Sequence, residues 1–62
     1  MKVKDVIFNL FGMVVIENKN EDDVLFHFSN GWGGGNAPEN VLNAEVVKMY
    51  ADDGVLFVTT DL

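Results

Sequence analysis

Few side chains in this sequence are equipped for chemistry, and those few stand apart. His27 is the only histidine, and there is no cysteine. His27 and Ser29 fall two residues apart on a segment that reads as a strand. Side chains at that spacing run parallel and do not meet head-on, so no nucleophile–base pair forms. A metal would have to be held by carboxylates with one imidazole at most. The carboxylates cluster twice, at Glu21-Asp22-Asp23 and at Asp52-Asp53, and neither run has the spacing of a Ca²⁺ loop. What remains open to them is electrostatic. They can present negative charge to a basic protein surface, much as the phosphates of a nucleic acid do. Glu21, Asp22, Asp23, Asp52 and Asp53 are therefore candidate partner contacts, and no metal or cofactor is expected.

The run Gly31-Trp32-Gly33-Gly34-Gly35 has the composition of a phosphate cradle, which works through backbone amides ahead of a helix. No Lys or Arg lies within ten residues on either side, and no Lys-Ser/Thr pair follows. The glycines are better read as a connection in which the chain turns freely. Trp32 either folds back over the core or is presented as a contact, a role in which Trp is enriched. It joins the candidate partner residues.

The stretch Val6-Ile7-Phe8-Asn9-Leu10-Phe11-Gly12-Met13-Val14 resembles the first motif of the haloacid-dehalogenase-like phosphatases, in which an apolar strand leads into a pair of aspartates. Asn9 stands where that motif has its nucleophilic Asp, and Phe11 where it has the acid/base Asp. The resemblance thus stops short of the carboxylates that would be phosphorylated or would hold Mg²⁺. No enzymatic activity is expected.

The elements that must position these groups can be read from periodicity. Val3, Val6, Ile7, Leu10 and Phe11 share a helical face, and Gly12 stands where a C-cap belongs. Val6-Ile7-Phe8 also suits a short strand, but period and stop signal together favour the helix. Met13 to Glu17 is β-branched and reads as a strand. After a polar turn, Val24 to Ser29 alternates, with Val24, Phe26 and Phe28 on one face and His27 on the other. Pro38 suits the first turn of a short helix ending near Leu42. Glu45 to Ala51 and Val55 to Thr60 form a last pair of strands across Asp52-Asp53-Gly54, a strong hairpin signal.

The chain of 62 residues has room for one domain. The fold class expected is α+β, a short N-terminal helix over a four-stranded antiparallel sheet of two hairpins, either open or curled into a small barrel. If consecutive strands pair, both acidic turns lie at one end as a single patch, with Trp32 at the other. Several strands are apolar on both faces. Leu25, Val46, Tyr50, Val55 and Phe57 fall on the side that the helix leaves uncovered. Leu25, Val46, Tyr50 and Phe57 are accordingly candidate oligomer contacts, and a homo-oligomer, above all a dimer, is expected.

Ten carboxylates against four lysines and no arginine give a net charge of −6. This balance disfavours nucleic acid and anionic membranes, both bound mainly through Lys and Arg, and favours a basic protein partner. The absence of cysteine, of a membrane-length apolar run and of a legible signal sequence points to the cytoplasm. The layout of Ala37-Pro38-Glu39-Asn40-Val41-Leu42, then Glu45-Val46-Val47 and Val55-Leu56-Phe57-Val58, is similar to that of small accessory proteins encoded by bacteriophages. Many of these, anti-CRISPR proteins among them, inhibit a host complex. The resemblance implies an inhibitor or regulator in the host cytoplasm, and no particular target. The other readings are an assembly subunit that self-associates through an apolar sheet face, and a small-ligand binder with pockets between subunits near Trp32.

Overall fold

The computed structural model describes residues 1–7, 12–29 and 36–62. In chain order the elements are α1 (Val3–Ile7), β1 (Met13–Glu17), β2 (Val24–Ser29), α2 (Glu39–Leu42), β3 (Val46–Asp52) and β4 (Val55–Thr60). The N-terminal segment is helical from Val3 to Ile7, as its period predicts. Asp5 fixes the start of this helix: its carboxylate accepts from the Lys2 amide at 2.9 Å, the reach-back half of a capping box. The continuation expected over residues 8–11 lies outside the described residues, and with it Asn9 and Phe11. Pro38 precedes α2, and its carbonyl accepts from the amides of Val41 and Leu42.

The class is α+β, with a four-stranded sheet in the order β2-β1-β4-β3. The sheet does not close into a barrel, since β2 and β3 are its two edges. Both hairpins form: β1 pairs antiparallel with β2, and β3 with β4. Asp53 and Gly54 take φ of 51° and 79°, the positive values that a two-residue hairpin turn requires at both positions.

The expectation of a wholly antiparallel sheet is corrected at its centre, because β1 and β4 run parallel. The reason lies in residues 30–45. Ser29 ends beside Met13, whereas Val46 starts beside Thr60, at the far end of the sheet. The connection must therefore travel the length of the strands, as parallel crossovers do. It carries α2 across one face on the way.

That face is the core. Val3, Ile7, Val14, Ile16, Phe28, Val41, Ala44 and Val58 form one buried cluster, with both helices on the same side of the sheet. Backbone bonds from Val3 to Ala44 and from Val46 to Met1 fasten the N-terminal segment to the start of β3.

Candidate functional site

Register and alternation define what the other face carries. Opposite residues project to the same side, so the pairings give three rows across the sheet. The middle row is His27, Val15, Phe57 and Tyr50. The row toward the start of β1 is Ser29, Met13, Val55 and Asp52, and the row toward its end is Val24, Glu17, Thr59 and Lys48. No described element packs on this face. Val15, Val55, Phe57 and Tyr50 are half-buried, and Met13 and Val24 stay 47% and 51% exposed.

Two polar bridges cross it from the β3 edge. The Tyr50 hydroxyl donates to Glu17 Oε1 at 2.9 Å, spanning β4 to reach β1. Lys48 Nζ donates to Glu21 Oε2 at 2.9 Å, tying β3 to the β1–β2 turn. The Tyr50 and Phe57 rings stack with centroids 4.9 Å apart and planes 9° from parallel, and Lys48 Nζ lies 5.2 Å from the Tyr50 centroid. Partial burial, reinforced by the bond to the Glu17 carboxylate, pushes the Tyr50 phenol up to about 12. The bond from Lys48 holds the Glu21 carboxyl below its ordinary range. Glu17 itself is only 8% exposed. Between Glu17 and Lys48, the 2%-exposed Thr59 has a hydroxyl with no hydrogen-bond partner among the described residues.

The acidic clusters do not form the single patch expected. With β4 parallel to β1, the 18–23 turn follows the end of β1, while Asp52-Asp53 sit beside its start. Four strand steps separate the two ends, about 13 Å. That exceeds the ~8 Å screening length of physiological salt. The groups also differ in use. Glu21, at φ 60°, points to Lys48. Asp22 accepts from Asn18 Nδ2 at 2.6 Å and so helps to build its own turn. Asp23, Asp52 and Asp53 are exposed.

Two of the four oligomer candidates are also corrected. Leu25 and Val46 pack against the core cluster. Leu25 is the extra residue of a β-bulge, since Ile16 pairs with Phe26 while Glu17 pairs with Val24. That insertion breaks the alternation and turns Leu25 inward while leaving Val24 out. A second irregularity beside Val46 leaves Val47 62% exposed. Tyr50, Val55 and Phe57 lie on the uncovered face as expected. Trp32 and the glycine run lie outside the described residues.

The residues that the sequence reading missed on this face are Val15, Glu17, Lys48 and Thr59. Glu17 was legible in principle, being a carboxylate at the outward position of a β-branched strand. A shallow depression of about 450 Å³ elsewhere is lined by Lys4, Ala37, Glu39, Leu42 and Asn43, with no converging set of catalytic groups. Among the described residues, no group of three or more His, Asp or Glu side chains is placed to hold a metal ion, and no helix is long and apolar enough to cross a membrane. Comparison with protein-family models, curated proteins and solved structures finds no match.

Proposed function

We propose that this chain is a non-enzymatic binding protein, an inhibitor or regulator, that docks a partner protein on the uncovered face of its sheet. The observation that supports this is the middle row of that face, where Val15, Phe57 and Tyr50 form a half-buried apolar strip that no described element covers. Covering the exposed half of a Val or Phe side chain returns about 1 kcal/mol. In a domain whose single core rarely supplies more than ~3–5 kcal/mol, a partner on this face adds substantially to stability. The excess of carboxylates makes a basic partner the favoured class.

Affinity capture from a bacterial lysate, run in parallel with the native chain and Phe57→Ser, tests the reading. A protein retained by the native chain is expected to be lost with the variant, whose circular dichroism spectrum stays that of the parent. Equal capture by both moves the docking surface elsewhere.

Self-association is the second reading, and a separate observation favours it. Edge strand β3 exposes Val47 and Met49 beside a backbone edge that no described strand pairs, a template for pairing with a second copy. Light scattering at micromolar concentration that returns a monomer rules it out.

A further inference from the structure

We infer that the segment docking on the uncovered face is a basic amphipathic helix, with cations near both ends and an apolar stripe between them. This inference rests on the docking reading above and names the partner's chemistry.

Two features of the face support it, and a third reports on it. The first is the distribution of charge. The end beyond Glu17 carries Glu17, Glu21, Asp22, Asp23, Glu45 and Asp61 against Lys2, Lys19 and Lys48, a side-chain excess of three negative charges. The other end carries Asp52 and Asp53 with no lysine among the described residues there, an excess of two. The carboxylates therefore bracket the apolar strip of Val15, Phe57 and Tyr50 instead of pooling on one side of it. The second feature is shape. Sheet faces are covered by helices or by a second sheet, and a helix is the smaller cover, as on the inner face, where α1 and α2 suffice. Asp23 and Asp52 lie at least four strand steps apart along the sheet and three strand spacings apart across it, ~19 Å or more, which cations about thirteen to fifteen residues apart on one helix span at ~20–22 Å. The third is Thr59. It is 2% exposed, lies in the row between Glu17 and Lys48, and leaves its hydroxyl without a hydrogen-bond partner among the described residues. A donor reaches that hydroxyl only where docking displaces the groups that cover it, so a chemical-shift change at Thr59 reports engagement of this end. A second copy of this chain is disfavoured as occupant because it brings the same carboxylates to both ends.

The test uses three capped peptides of about fifteen residues, each with a leucine stripe. One carries lysines at both ends, one the same lysines gathered at one end, and one glutamines in their place. Binding is followed by amide chemical shifts of the full chain at low salt. The two-ended peptide is expected to bind about tenfold more tightly than the one-ended peptide. Its shifts should centre on Val15, Phe57 and Thr59. Asp23→Asn and the pair Asp52→Asn, Asp53→Asn should each weaken it about two- to threefold per charge removed, and high salt should erase the difference. These exposed positions tolerate Asn, which suits the positive φ at residue 53.

If the glutamine peptide shifts the same residues with equal affinity, the basic partner is overturned while docking on this face stands. Equal binding of the two lysine peptides overturns the bracket. No shift on the face with any peptide overturns both readings. A dimer in light scattering whose formation shifts the Val15 and Phe57 amides assigns the face to a second copy and overturns the inference.

Discussion

The two faces of the sheet are made by the same strands and held by different physics. On the inner face, Val14, Ile16 and Val58 are fully buried beneath two short helices, and cohesion comes from apolar packing. On the outer face, Tyr50–Glu17 and Lys48–Glu21 tie β3 to β1 and its turn while the apolar strip stays half-exposed. Apolar packing has no preferred direction and works only where water is excluded. Directional bonds keep their geometry at a wet surface, although each contributes less there. A domain too small to cover both faces can use the second mechanism to keep one of them in order and accessible.

The largest expected effect contrasts neighbours on β1. Ile16→Ala should destabilise by about 2–5 kcal/mol, enough to unfold much of a domain of this size. Val15→Ala, one residue away on the outer face, should cost less than about 1 kcal/mol. Urea denaturation measures both, and equal losses would mean that the outer face is covered after all.

A smaller effect of opposite sign is expected at Thr59. Thr59→Val removes a buried hydroxyl that has no partner among the described residues and keeps the branched shape, so stability should rise by up to about 1 kcal/mol. A fall in the melting temperature would show that the hydroxyl is satisfied in solution.

The bridges themselves should show least in stability and most in titration. Tyr50 is the only tyrosine, so tyrosinate absorbance reports it alone, with a midpoint expected near 12. Its phenol binds a proton more tightly folded than unfolded. The associated stability is complete below pH 10 and is lost as pH rises toward 12. Glu21 behaves in the opposite sense. Its carboxyl is depressed below 4.5, so its contribution is present above that value and is lost as pH falls through the folded value. Tyr50→Phe should remove the alkaline dependence, and Lys48→Met should flatten the acid one. A tyrosinate midpoint at 10 would mean that the Tyr50–Glu17 bridge is not formed in solution.

What could be read from the sequence follows how locally each feature is encoded. The Asp53-Gly54 turn and the Pro38-led helix depend on residues a few positions apart, and both are found. The parallel pairing of β1 with β4 depends on residues some forty positions apart, and no local pattern records it. The length of the connection from 30 to 45 was the available sign, being too long for a hairpin and long enough for a crossover. The bulge at Leu25 was also hidden, because one inserted residue reverses the face of a side chain without altering the composition of its strand. These two features account for the misplaced acidic patch and for the misplacement of Leu25.

The parallel centre also bears on how the protein is made. β1 leaves the ribosome well before its central neighbour β4, with β2, α2 and β3 between them in the chain. Until β4 emerges, β1 can pair only with β2, and its other edge stays open while residues 30–54 are synthesised. Contacts that close over such long separations slow folding and prolong the exposure of apolar strand edges. The acidic turns flanking β1 and β4 place like charge on every copy, which discourages one nascent chain from completing its sheet with another's strand.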